Sequence, residues 1–140
     1  MCLTCTKLKK GVENKLNLNH QIKVRMIPQH QKDHTIPGAR HVFSYDVTIY
    51  NTSLEDVQLT KRHWFITDGV LGVREVEGEG VIGEKPILSP GESYSYQSWC
   101  PISEDFGSIS GYFTFRLLRT EEIGYANIDT VLLIPDENLN

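Results

Sequence analysis

Alternation of apolar and polar residues with a period of two is the feature that most constrains this chain. In residues 40–51 the side chains of Phe43, Tyr45, Val47 and Ile49 fall on one face, and Ser44, Asp46 and Thr48 fall on the other. That is the pattern of a β-strand with one face on a core and one in water. Residues 21–27 repeat it, with Ile22, Val24 and Met26 against Lys23 and Arg25. Residues 57–67 carry Leu59, Trp64 and Ile66 with a change of phase near Lys61 and Arg62, which predicts a β-bulge. Shorter strands are expected over 70–76, 93–98, 108–118 and 125–134. Between them lie turn formers: Pro28, Pro37-Gly38, Asn51-Thr52-Ser53, Asp68-Gly69, Ser89-Pro90-Gly91 and Gly124. No helical periodicity separates the strands. The expected fold is therefore an all-β sandwich of about seven to eight antiparallel strands, in the immunoglobulin or fibronectin type III manner.

With 140 residues the chain is one domain, long enough to withdraw roughly two-thirds of its unfolded surface from water. The expected organisation is a tail over 1–19, a folded unit over 20–135 and a short tail over 136–140. Cys2, Cys5 and Cys100 are odd in number and give no disulfide framework, which favours a reducing compartment. No apolar run of signal-peptide or membrane-spanning length occurs, so a cytoplasmic protein without membrane contact is expected. The net charge of −4 and pI near 5.7 argue against nucleic acid as a partner.

Gly78-Glu79-Gly80-Val81-Ile82-Gly83 has the G-x-G-x-x-G spacing of dinucleotide-binding loops. Those loops need a helix whose N-terminus faces the pyrophosphate, and Pro86 and Pro90 prevent one here. Glu77, Glu79 and Glu84 crowd the segment with negative charge, offset only by Arg74 and Lys85. Two readings remain: glycines that permit tight turns at positive φ, or backbone amides forming an anion-binding concavity.

Several ordered blocks together resemble the ApaG family. They are Phe43-x-Tyr45-x-Val47-x-Ile49-x-Asn51, Arg62-His63-Trp64-x-Ile66-Thr67-Asp68-Gly69 and Glu75-Val76-x-Gly78-Glu79-Gly80-Val81-x-Gly83, followed by Leu88-x-Pro90-Gly91-Glu92-x-Tyr94-x-Tyr96 and Gly107-x-Ile109-x-Gly111-x-Phe113. The resemblance spans about residues 20–135. It implies a fibronectin type III-like sandwich, found alone in bacteria and as a C-terminal module of some eukaryotic F-box and polymerase-interacting proteins. It carries no established catalytic activity, so no catalytic residue, cofactor or metal is expected. It brings an association with cobalt tolerance and magnesium efflux. Genetic proximity to a diadenosine tetraphosphatase adds the idea of a nucleotide bound at Gly78, Gly80 and Gly83, with Arg74 and Lys85 beside them. The chain departs from the family pattern at Cys2-x-x-Cys5 and at Trp99-Cys100.

Other clusters read as structural. Cys2-x-x-Cys5 lacks the second pair that a zinc site needs. His30, His34 and His41 lie in or beside a polar loop. Cys100, His63 and Asp68 have no local feature that would activate the thiol. Trp64 and Phe65 are neighbours on one strand and must leave opposite faces, so one fills the core and the other meets a loop or a partner. Trp99 is a second interface candidate. The leading expectation is a non-catalytic domain that binds a protein partner through a sheet face or edge and the Gly78–Gly83 loop, an edge strand also offering a route to a homodimer. Nucleotide or pyrophosphate binding at that loop is the alternative.

Overall fold

A computed structural model describes residues 16–70 and 72–136. Nine strands occur among them, with no α-helix: β1 (Leu16–Asn17), β2 (Ile22–His30), β3 (His41–Asn51), β4 (Val57–Asp68), β5 (Val73–Glu79), β6 (Ile87–Leu88), β7 (Ser93–Ile102), β8 (Gly107–Leu117) and β9 (Ile123–Leu133). The larger sheet has the order β1-β9-β8-β4-β5, with β6 also on β4; the smaller has the order β2-β3-β7. The two pack face to face as the all-β sandwich that the alternation predicts. Phe43, Val47 and Ile49 of β3 and Phe113 and Phe115 of β8 are buried between them. Trp64 joins that core, its ring edge-on to Phe113 at 4.9 Å between centroids.

The predicted bulge is present at Thr60, where the pairing of β4 with β8 jumps from Leu59 to Lys61. A second register shift on β8, between Ile109 and Gly111, faces β9. Two boundaries differ from expectation. Residues 16–19 do not belong to a tail: Leu16 pairs in parallel with Gly124 of β9, and Leu18 is buried in the core. The strand expected over 70–76 runs instead from Val73 to Glu79, so Gly78 and Glu79 lie in a strand and not in a loop. Residues 1–15, with Cys2 and Cys5, and 137–140 lie outside the described residues.

The connection 31–40 folds back over the outer face of the smaller sheet. Gln31 donates to the Ser44 hydroxyl at 2.8 Å, and the His34 ring lies 4.9 Å from the Trp99 ring. This cover is why Val42 and Ser44, which point away from the core, are nevertheless buried.

Candidate functional site

The glycine-rich segment closes into a two-residue hairpin. The Val81 amide donates to the Glu84 carbonyl and the Glu84 amide to the Val81 carbonyl, both at 2.8 Å, and the central residues Ile82 and Gly83 have φ of 47° and 74°. Two positive φ values in succession define a type I′ turn. Gly80, at φ 61°, accepts no side chain, because a Cβ there would overlap the Glu84 carbonyl; its amide donates to Thr60 at 2.7 Å. Three amides of the segment are thus already engaged. Ile82 is β-branched and unsuited to positive φ. Replacing it with Asn, the preferred first residue of a I′ turn, is expected to raise stability by about 1 kcal/mol. Thermal melting of Ile82→Asn checks this, and an unchanged or lower melting temperature would contradict the turn assignment.

Gly78 serves a different purpose. The Arg62 guanidinium lies against it, so that an added Cβ would come within 2.8 Å of that group. Arg62 donates to the carbonyls of Glu79 at 3.2 Å and Gly80 at 2.9 Å. No ion pair to Arg62 is present among the described residues. Lys85 is engaged by Glu79 at 2.7 Å, and that pairing holds the Glu79 carboxyl below its ordinary pKa.

Arg74 is not brought to this loop. It pairs with Ile66 whereas Gly78 pairs with Arg62, a separation of four strand positions, or about 13 Å. Its guanidinium bridges the two sheets at the opposite end of β5, donating to the Pro101 carbonyl at 2.7 Å and reaching the Asp68 carboxylate at 3.4 Å and the Cys100 sulfur at 3.7 Å. Asp68, which the sequence offers as a turn former and as a paper partner of His63 and Cys100, is the hub here. It accepts from the Ser103 amide at 2.9 Å, the Ser103 hydroxyl at 2.8 Å and the Glu104 amide at 3.0 Å. Burial opposes ionisation of Asp68, but these donors and the Arg74 charge outweigh it, and its pKa lies below the ordinary value. Beside it opens a shallow cavity of about 330 Å³, lined by Ile36, Pro37, Gly38, Arg74, Pro101 and Ser103 among others. Arg40, next in the chain to Ala39 of that lining, pairs with Asp105 at 2.5 Å.

Cys100 is buried in the inner face of β7, and burial pushes its thiol pKa up, away from a reactive thiolate. His63 projects from the opposite, outer face of the larger sheet. One of its ring nitrogens meets Glu75 and the other meets Glu77 at 3.0 Å, while Tyr112 stacks on it at 5.0 Å. Cys100, His63 and Asp68 therefore do not converge. Phe65 lies beside His63, 4.8 Å between centroids, so it shares no surface with Trp99, which faces outward from the smaller sheet. His30 and His41 do meet, ring centroids 5.1 Å apart, whereas His34 sits apart from them on Trp99. No group of three or more His, Cys, Asp or Glu side chains suited to a metal ion occurs among the described residues. Among them, too, no helix is long and apolar enough to cross a membrane.

The model of the ApaG domain matches residues 31–117. The chain belongs to the ApaG family. Protein ApaG from Mesorhizobium japonicum is 43% identical over 110 residues, covering 78% of this chain and 85% of that protein. The crystal structure of the putative ApaA protein from Bordetella pertussis is similar with a TM-score of 0.77 at 33% identity, over 84% of this chain and 95% of that one. An X-ray structure of a structural-genomics target reaches a TM-score of 0.80 at 30% identity, over 88% and 93% of the two chains. Within the family match fall Arg62, Asp68, Arg74, Gly78 and Gly80, the residues that tie β4, β5 and β7 together, so these ApaG relatives provide the set in which to compare them.

Proposed function

We propose that this ApaG-family chain is a non-catalytic binding domain whose ligand is another protein. The observation that carries the reading is Trp99. It is 43% exposed at the outer face of edge strand β7, where His34 and the 31–40 connection hold its ring in place, whereas Phe106, 52% exposed, lies in the connection between β7 and β8. A large aromatic fixed on rigid backbone is the type of residue that anchors protein interfaces at small entropic cost. The titratable groups support the same reading, since Asp68, Arg74, Lys85 and His63 are each engaged by neighbours and do not converge on a common point. The family's association with cobalt and magnesium handling is then exerted through the partner.

Trp99→Ala is expected to fold with a melting temperature within a few degrees of the parent chain. It should lose at least tenfold in affinity for the partner that the parent chain captures from its own cell extract. Retention of that partner at parental affinity would remove Trp99 from the interface and this reading with it.

A further inference from the structure

Among the described residues the sheets end in β1, β2, β5 and β7, with the two-residue β6 beside β5 and with β9 beyond Tyr125, which carries Asp129 and a register shift. These edges are not equally protected. β1 is two residues long, β2 carries Lys23, Arg25 and Pro28, and β5 carries Glu75, Glu77 and Glu79. Short length, charge and proline are the devices by which native sheets keep foreign strands from pairing. β7, Ser93–Ile102, has none of them before Pro101: it is ten residues of Ser, Tyr, Gln, Trp, Cys, Pro and Ile with no charge. It pairs with β3 without a register shift from Ser93 to Ile102, so no bulge twists its free edge away.

The backbone groups on that edge can be assigned. The Asn51 amide donates to the Glu92 carbonyl at 2.9 Å. In an antiparallel ladder hydrogen-bonded pairs alternate, and so Tyr94, Tyr96, Ser98 and Cys100 turn their amides and carbonyls toward β3. Ser93, Ser95, Gln97, Trp99 and Pro101 turn theirs outward. The outward Pro101 carbonyl is the one capped by Arg74 from β5, which agrees with the assignment. The other four residues present an unbroken row of donors and acceptors.

The inner side of the same edge is also incomplete. Tyr94, Tyr96 and Val76 pack against the core but stay only partly buried. The Tyr96 hydroxyl is buried with no hydrogen-bond partner among the described residues. Arg62, whose charge acts on both the Tyr45 and Tyr96 hydroxyls, is paired with no carboxylate among the described residues and donates instead to the Gly80 carbonyl. A strand added to β7 would direct alternate side chains over Tyr94 and Tyr96, toward Arg62. A second copy of this chain fits poorly: antiparallel self-pairing of Ser93 with Trp99 and Ser95 with Gln97 places Tyr96 on the two-fold axis and draws two Arg62 cations together.

We infer that β7 is a strand-addition site. Its occupant is an extended segment of a different protein, with apolar residues at alternate positions and one acidic residue among them to reach Arg62. This rests on the protein-binding reading and specifies its ligand. The probe is a displayed library of random ten-residue peptides selected on the intact chain. Selected peptides are expected to alternate apolar residues with an inward Glu or Asp. The best of them should slow amide hydrogen exchange at Ser93, Ser95, Gln97 and Trp99 at least tenfold. Ser95→Pro deletes one outward amide donor and no backbone bond to β3; it also removes the exposed hydrogen bond from the Ser95 hydroxyl to Thr48 at 3.1 Å, which N-methylation of Ser95 retains. It should keep the parental melting temperature and bind that peptide at least tenfold more weakly. Should the substitution disturb folding, Ser95 N-methylated by chemical synthesis supplies the same deletion.

Selection that yields no peptide, peptides that protect β2 or β5, or binding indifferent to Ser95→Pro would overturn the inference. So would a light-scattering mass of two copies that Ser95→Pro returns to one, since the occupant would then be this chain itself. If Ser95→Pro still captures the cellular partner and Trp99→Ala does not, protein binding stands and strand addition at β7 falls.

Discussion

Gly111→Ala is expected to destabilise the chain by about 3 kcal/mol or more, from two effects that add. Gly111 has φ of 144°, where an L side chain is strained by about 1–2 kcal/mol. Its Cβ would also overlap the backbone carbonyl oxygen of His63 and come within 2.8 Å of the Trp64 ring. Neither neighbour can yield, because His63 is paired to Tyr112 through the ladder and Trp64 is packed on Phe113. For a domain of this size the loss lowers the melting temperature by roughly 12 °C. Gly83→Ala is the natural comparison: it too has positive φ, but a Cβ there meets nothing within 4 Å, and only the conformational part, about 1 kcal/mol, should appear. If the two variants melt alike, close approach at Gly111 is not what requires glycine.

Asp68→Ala should cost about 2–3 kcal/mol, because it strands the amides of Ser103 and Glu104 and the Arg74 guanidinium in a partly desolvated corner. The same residue gives a pH signature. A carboxyl whose folded pKa lies below its ordinary value of 3.8 contributes stability that is fully present above that value. The contribution is lost as pH falls through the folded pKa. The parent chain should therefore lose stability between about pH 5 and the folded pKa of Asp68, and Asp68→Ala should lose less over the same interval. Denaturant unfolding at a series of pH values measures the difference; parallel curves would mean that Asp68 is not held ionised by its neighbours.

What could be read from the sequence follows from how local each cause is. The strand at Phe43 to Ile49 and the opposed directions of Trp64 and Phe65 depend only on alternation, and both are present in the structure. The bulge was legible because a phase change is visible in one strand. Leu16 to Leu18 were not legible as part of the fold, since two paired residues and one buried leucine leave no periodic trace among polar neighbours. β5 lies three residues later than its sequence suggests because glutamate and glycine are poor strand formers, and at an exposed edge the pairing with β4 overrides that preference.

The candidate site was the least legible part. Gly78 and Arg62 lie sixteen positions apart in the chain, and only the β4–β5 register makes one glycine the bed for the other's guanidinium. The sequence offers Asp68 as a turn former and a paper partner of His63 and Cys100, and Arg74 as a loop cation. Their meeting with Ser103 depends on β7 and β8 returning to the same corner, which no short window records.

The burial of Cys100 gives this fold a built-in clock. Its sulfur is sealed beneath Arg74 where β5 and β7 come together, so a bulky thiol reagent can reach it only when that corner parts. With Cys2 and Cys5 replaced by serine, the rate of its modification at high reagent, where every opening is trapped, counts how often the two edges separate in the folded chain. A strand lodged on β7 would slow that clock without needing to touch the sulfur at all.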